Sequence, residues 1–232
     1  MENASSAIHA HRTQSTLKDF PGRMAALFFT AGCNFRCGFC HNPDLFVTAK
    51  TYSWDELDAI CATFRKQWVS AATITGGEPT LHASLPDTIR FMKKRGFAIK
   101  LDTNGSNPEM LEEIIGELCY VAMDIKCGIQ NYPSVTGYEN LDAIRRSIAI
   151  IMEKAKDYEF RTTVIETLHN EEEIMDCGKL ITGAKRYILQ PFVPRDNLPS
   201  LALRTQPRTR PSFMEQAARW AEGFAQKIEI RG

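Results

Sequence analysis

Six short runs rich in β-branched or aromatic residues, each followed by a longer stretch with apolar side chains at helical spacing, constrain this chain more than any other feature. The runs lie at residues 24–30, 72–75, 98–101, 120–124, 160–164 and 187–190 and read as buried strands. Strands that alternate with helices predict parallel βα units, because a parallel neighbour needs a crossover long enough to hold a helix. Six units fit an α/β fold that is either an open doubly wound sheet or a barrel-like sheet, and periodicity alone does not choose between them.

The helices carry local signals. Ser53-Trp54-Asp55-Glu56 has the form of a capping box, and Leu57, Ile60, Cys61, Phe64 and Trp68 follow at helical spacing, which reads as a core face. Asn107-Pro108 opens a further helix with an N-cap side chain and a first-turn proline, and Met110, Leu111, Ile114, Ile115 and Leu118 form its apolar side. Others are expected near residues 84–95, 141–154, 171–181 and 212–226.

With 232 residues and no evident boundary, one large domain is expected over 21–232, preceded by a polar, loose extension at 1–20. Residues 191–211 hold five prolines and the arginines Arg195, Arg204, Arg208 and Arg210, and read as a long surface loop that is a lid, a docking surface or a solvated connection. Residues 212–232 add a final helix and an edge strand near 227–230. Apolar residues at 44% and charged residues at 24% argue against a disordered or membrane chain. A net charge of zero gives no global basic field, so neither nucleic acid nor membrane is an expected partner. The first twenty residues lack the pattern of a secretory signal, which predicts a cytoplasmic protein.

The seven cysteines suit reduced thiols better than a disulfide framework. Three of them, Cys33, Cys37 and Cys40, form a C-x3-C-x2-C loop after the first strand. Thiolates so spaced can hold three irons of an iron–sulfur cube and leave the fourth open to another ligand. The other reading is zinc closed by His41, a geometry made awkward by its adjacency to Cys40. Cys61 and Cys119 fall among apolar helix positions, and Cys127 and Cys177 lack partners at metal-ligand spacing, so all four read as buried small hydrophobes.

Three further signals follow strand ends. Gly76-Gly77-Glu78-Pro79 combines a backbone that a ligand can approach with a carboxylate able to hold an ammonium group. Asp102-Thr103-Asn104 ends the third strand and Asp124-Ile125-Lys126 the fourth, and alternation puts Asp124 and Lys126 on one face. Those two charges can grip both ends of an amino acid, or simply pair with each other. In parallel α/β folds the carboxyl ends of the strands lie on one side, so all four signals converge on one mouth.

The cysteine loop and the Gly-Gly-Glu turn resemble those of the radical S-adenosylmethionine enzymes. Asp19-Phe20-Pro21-Gly22-Arg23, Cys40-His41-Asn42-Pro43 and Asp44-Leu45 narrow the resemblance to the activating enzymes of glycyl radical proteins, most of all those serving anaerobic ribonucleoside-triphosphate reductase; it runs from about Thr16 to Gln190. The resemblance implies a partial (β/α)6 TIM-like barrel with a 4Fe-4S cluster held by Cys33, Cys37 and Cys40 and S-adenosylmethionine on the open iron. Phe39 would lie near the adenine, Gly76, Gly77 and Glu78 would take the methionyl amino group, Asp102, Thr103 and Asn104 would lie near the methionyl end, and Asp124 and Lys126 would bind its amino and carboxylate groups. Arg161 could neutralise the carboxylate or be a solvated strand end. Gln190 stands at the end of the sixth strand, where related activators often have a cofactor-touching histidine, while His169 reads as a surface polar residue. A monovalent cation near Asp102, Thr103, Met123 and Asp124 is a further family feature. The implied partners are a glycyl radical enzyme, with anaerobic ribonucleotide reductase first, and flavodoxin or ferredoxin as reductant. Pyruvate formate-lyase-type activation, a small-molecule radical enzyme such as 7-carboxy-7-deazaguanine synthase, and a non-catalytic zinc module are the alternatives.

Overall fold

The structure, a computed structural model, describes residues 5–47 and 49–232, so the first four residues of the expected extension lie outside it. Among the described residues eight strands, β1 (Ala10–His11), β2 (Ala25–Thr30), β3 (Ala71–Gly76), β4 (Ala98–Thr103), β5 (Tyr120–Asp124), β6 (Tyr158–Val164), β7 (Ala184–Pro191) and β8 (Ala225–Ile230), form one sheet in sequence order. Of these eight, only β1, paired with β2, runs antiparallel. Right-handed crossovers that never reverse direction keep the helices on one face, so the sheet curls around its other face. A doubly wound sheet needs a reversal of strand order, and none occurs here. The strand order thus settles the choice left open by periodicity in favour of the partial barrel, with β1 and β8 as its edges.

Among the described residues eight α-helices accompany the strands: α1 (Trp54–Lys66), α2 (Leu85–Lys94), α3 (Pro108–Ile114), α4 (Tyr132–Thr136), α5 (Leu141–Lys154), α6 (Glu171–Leu180), α7 (Leu201–Arg204) and α8 (Pro211–Trp220). The capping box at Ser53 and Glu56 is formed as expected, and the Asn107 side chain caps α3. Helix α1 stops at Lys66 in a Schellman turn, with Val69 N–H donating to Phe64 O (3.1 Å) and Trp68 N–H to Arg65 O (3.1 Å). Trp68 therefore takes the left-handed position (φ 62°) and is 88% exposed, while Val69 is buried in its place. The expectation that Trp68 is core is wrong because the helical spacing outlasts the helix.

Two layers of side chains alternate along the strands. Outward residues such as Phe28, Ile74, Leu101 and Met123 join the large core beneath the helices. On the inner face Ala25, Ala71 and Ala98 pair in register at the first positions of β2, β3 and β4. These small side chains leave room for Phe20, which packs with them, Tyr120 and Ala122 and lies 6.0 Å from the Tyr120 ring. Thr73 Oγ1 donates to Asp19 O (3.2 Å), so the Asp19–Arg23 turn plugs the amino-terminal end of the barrel.

Several segments differ from expectation. Residues 6–8 are buried, with Ser6 N–H donating to Tyr52 O, Tyr52 N–H to Ile8 O and Ala7 N–H to Thr88 Oγ1, so the stretch before β1 is strapped down despite its polar composition. Segment 191–211 contains α7 and buries Phe192, Leu198 and Thr209. Helix α8 ends at Trp220, and β8 begins before the stretch expected for it. Cys119 is half-buried just ahead of β5, outside any helix, whereas Cys61, Cys127 and Cys177 are buried as expected.

Candidate cofactor site

The carboxyl ends of β3 to β6 and the cysteine loop enclose a cavity of about 840 Å³, counting its part open to solvent. Cys33, Cys37, Phe39, Cys40, Gly76, Gly77, Glu78, Asp102, Thr103, Asn104, Asp124, Lys126 and Arg161 all line it, so the four dispersed sequence signals do meet. Gln190 pairs with Thr163 across β6 and β7, but only Thr163 reaches the lining.

The adjacent glycines have a local cause. Gly77 N–H donates to Thr30 O (2.9 Å) and Glu78 N–H to Gly32 O (2.8 Å), which clips the end of β3 to the start of the cysteine loop. A Cβ on Gly76 would stand 2.4 Å from Thr30 N and O, and one on Gly77 would stand 2.0 Å from Gly32 O. In this structure Gly-Gly serves a close approach of two backbones.

Glu78 differs from its expected role as an ammonium holder. Its Oε1 accepts from Thr80 N–H (3.1 Å), Thr80 Oγ1 (2.6 Å) and Thr103 Oγ1 (2.7 Å), and its Oε2 from Asn104 N–H (2.6 Å). Burial raises its pKa against the pull of these donors. The carboxylate ties the β3 turn to the end of β4, fully buried.

Across β4, β5 and β6 the inner face carries an alternating chain of charges. Lys100 pairs with Asp102; Arg161 donates from Nη1 to Asp102 Oδ2 (3.3 Å) and from Nε to Asp124 Oδ1 (2.8 Å); Lys126 Nζ donates to Asp124 Oδ2 (2.8 Å). Arg161 is accordingly a half-buried bridge between two carboxylates and not a solvated strand end. Burial pushes the Asp124 carboxyl up, but Arg161 and Lys126 override it and hold it well below the ordinary range. Lys126 and Arg161 are raised in turn by their carboxylates, despite burial that works against them. The Lys126 ammonium also stands 5.9 Å from the centre of the Phe39 ring.

All three loop cysteines are unpaired thiols. Burial raises each of them, Cys37 to about 12, while the Lys126 charge lowers all three. Cys33 Sγ accepts from Phe35 N–H (3.4 Å) and Asn104 Nδ2 (3.9 Å), donors that suit a thiolate. Among the described residues no group of three His, Cys, Asp or Glu side chains is arranged to hold a single ion. His41, the fourth ligand of the zinc reading, instead donates from Nε2 to Val193 O (3.0 Å). Three soft donors opening on one cavity suit an iron–sulfur cluster by their chemistry.

His169 is also misplaced by sequence. It is buried, its Nδ1 accepts from Ile165 N–H (3.0 Å), and its Nε2–H therefore donates to Lys126 O (3.1 Å). Burial lowers its pKa to about 4. Lys100 and Thr163 were missed, although each stands two residues from a recognised inward residue, Asp102 and Arg161, so strand alternation places it on the same face.

Comparison with known proteins agrees with this geometry. The profile described as the radical SAM superfamily matches residues 27–181. A protein of Methanocaldococcus jannaschii named "Putative glycyl-radical enzyme activating enzyme" is 30% identical over 221 residues, spanning 92% of this chain and 91% of its own length. A "Probable GTP 3',8-cyclase" of Thermococcus kodakarensis is 24% identical over 72% of this chain, which spans 56% of that protein. Among solved structures, Streptococcus suis SuiB bound to precursor peptide SuiA superposes with a TM-score of 0.72 over 89% of this chain and 48% of that one, at 11% identity, a likeness of fold alone. A superfamily profile over most of the barrel and a relative matched nearly end to end lead to one conclusion: the chain belongs to the radical SAM superfamily, among its glycyl-radical enzyme activating enzymes.

Proposed function

We propose that this chain activates a glycyl radical enzyme, most specifically an anaerobic ribonucleoside-triphosphate reductase, by way of a 4Fe-4S cluster at Cys33, Cys37 and Cys40 and S-adenosylmethionine beside it. Membership of the superfamily implies the cluster and the cofactor. The observation that carries the site assignment is that three unpaired thiols share one cavity with a zwitterion-sized pair of opposite charges, Asp124 and Lys126. When bound, the cluster and S-adenosylmethionine supply a one-electron reductive cleavage and the hydrogen-abstracting radical it yields.

The chain's residues bind, orient and shield. An amino-acid zwitterion can insert between Asp124 and Lys126, its ammonium on the carboxylate and its carboxylate on the ammonium, which trades one ion pair for two without changing the net charge. Arg161 keeps Asp124 ionised and aimed at the cavity. All four oxygens of Asp102 and Asp124 accept from Lys100, Arg161 or Lys126. Phe39 supplies an apolar wall.

Support for the reductase as partner comes from the Asp19–Arg23 and Cys40–Pro43 motifs. The test is electron paramagnetic resonance on anaerobically reconstituted, reduced protein with and without S-adenosylmethionine. A cluster signal that changes with the cofactor is expected, lost in Cys37→Ala and kept in Cys177→Ala. A glycyl radical should then appear on an anaerobic ribonucleotide reductase mixed with the protein. Full cluster and cleavage activity in Cys37→Ala would sink the site, and steady product formation from a small molecule with no protein partner would sink the activating role.

A further inference from the structure

The sheet ends on two unlike edges. β1 is two residues long, whereas β8 runs for six, and among the described residues no strand pairs with its outer side. A long unpaired edge is a template for another strand, and chains ordinarily guard it by shortening it or charging it. Arg231 N–H donates to Leu189 O (3.0 Å), so by alternation Lys227 and Glu229 turn their backbone groups toward β7, and Gln226, Ile228 and Ile230 turn theirs outward. Side chains alternate as well. Lys227 and Glu229 lie on the inner face, where they line a cavity with Phe20, Arg186 and Arg231. Ile228 and Ile230 lie on the outer face; Ile228 packs against the main core, and Ile230 is 47% exposed beside Pro191, Pro211 and Met214.

The sequence of that edge is complementary to itself. When two copies of β8 are set antiparallel about Ile228, the outward residues Gln226, Ile228 and Ile230 of one face Ile230, Ile228 and Gln226 of the other, and their free N–H and C=O groups can pair. The same register sets Lys227 of each copy opposite Glu229 of the other on the inner face. A slip of two residues one way opposes Lys227 to Lys227; a slip the other way opposes Glu229 to Glu229 and Lys227 to Arg231. Like charges directly opposite are unfavourable, so the charges select one register. A lysine alone would guard the edge, but followed two residues later by glutamate it accepts a strand of the reverse charge order, which a second copy supplies. Within one copy Lys227 Nζ stands 2.6 Å from Glu229 Oε1, so the two charges already share the face on which this exchange occurs.

We propose that two copies of this chain associate through β8, antiparallel about Ile228, and so join their sheets across a two-fold axis. The contact is isologous, each copy offering the same strand, so it closes at a dimer. On the outer face the Ile228 side chains of the two copies meet at the axis, and each Ile230 stands beside a Gln226, which takes part of its exposed surface out of water. Because the two strands run in opposite directions, the two mouths at the carboxyl ends open to opposite sides. Each site therefore stays complete in its own copy, and the dimer does not depend on what the cysteines hold.

The test is sedimentation equilibrium of the reconstituted full chain over a wide range of protein concentration. The wild type is expected to dimerise. Lys227→Glu and Glu229→Lys each oppose like charges at two places and should weaken the dimer about tenfold, whereas the double variant Lys227→Glu/Glu229→Lys restores opposite charges and should recover the wild-type affinity. An equal mixture of the two single variants should form a mixed dimer of similar affinity, since each then meets the charge it lacks. Gln226→Pro, which removes an outward N–H and no bond to β7, serves as the second kind of variant; it should weaken the dimer while melting close to the wild type. A wild type that sediments as a monomer at every concentration would overturn the proposal. So would a dimer whose affinity is the same in both single variants and in Gln226→Pro, or single variants that do not associate when mixed. A monomeric wild type whose single variants lose radical installation on an added glycyl radical enzyme would also overturn it, and would give the edge to that partner.

Discussion

Glu78 and His169 show how a single buried side chain can hold the site together through its hydrogen bonds. Four donors converge on the Glu78 carboxylate, so Glu78→Gln turns an NH2 group toward at least one of them. That change should destabilise the protein by about 2–4 kcal/mol, read as a lower urea midpoint; an unchanged midpoint would show that the turn does not depend on the tie. His169 predicts a pH effect of defined sign. Its ring takes a proton near 6.5 when unfolded and near 4 when folded, so between these values the unfolded chain binds more protons. The stability it contributes is fully present above pH 6.5 and is lost as pH falls toward 4, on the order of 3 kcal/mol. Urea unfolding at pH 7.5 and 4.5 should show a larger loss for the wild type than for His169→Gln; equal losses would mean that the ring titrates normally.

At the scale of elements, the site depends on how closely the β3 turn and the cysteine loop approach. Gly77→Ala would drive a Cβ into Gly32 O, backbone against backbone, and overpacking of this kind costs about 1–3 kcal/mol. The expected result is a lower melting temperature together with reduced iron uptake on reconstitution, while Gly116→Ala, where a Cβ meets nothing within 4 Å, should match the wild type in iron uptake. Normal iron uptake in Gly77→Ala would show that the two backbones can part without moving the cysteines. The strand ends were legible because each signal is local: three cysteines in one loop, Gly-Gly-Glu in one turn, Asp124 and Lys126 two apart on one strand. Pairings across strands were not. The bridge made by Arg161 depends on the register of β4, β5 and β6, and the burial of His169 depends on a bond to a carbonyl 43 residues away. Trp68 misled for the opposite reason, since no glycine marks the left-handed turn that ends α1.

For the whole molecule, the two ends of the barrel have separate duties. Phe20 closes the amino-terminal end, and Phe20→Ala should cost about 3–5 kcal/mol in denaturant unfolding yet leave iron uptake unchanged, because the hole opens far from the cysteines. A coupled loss of iron would mean that the plug sets the shape of the mouth. Class of fold was readable from alternation alone, but its curvature follows from strand order, which no local pattern encodes. That same order has a consequence for synthesis. Each βα unit emerging from the ribosome finds its sheet neighbour already made, so the barrel can be assembled as it is translated. The cysteine loop arrives with the second strand, whereas Val193, which fastens His41, lies 152 residues later. During that interval the thiols belong to an unfastened loop, and the closing of segment 191–211 against it is among the last events in the making of the site.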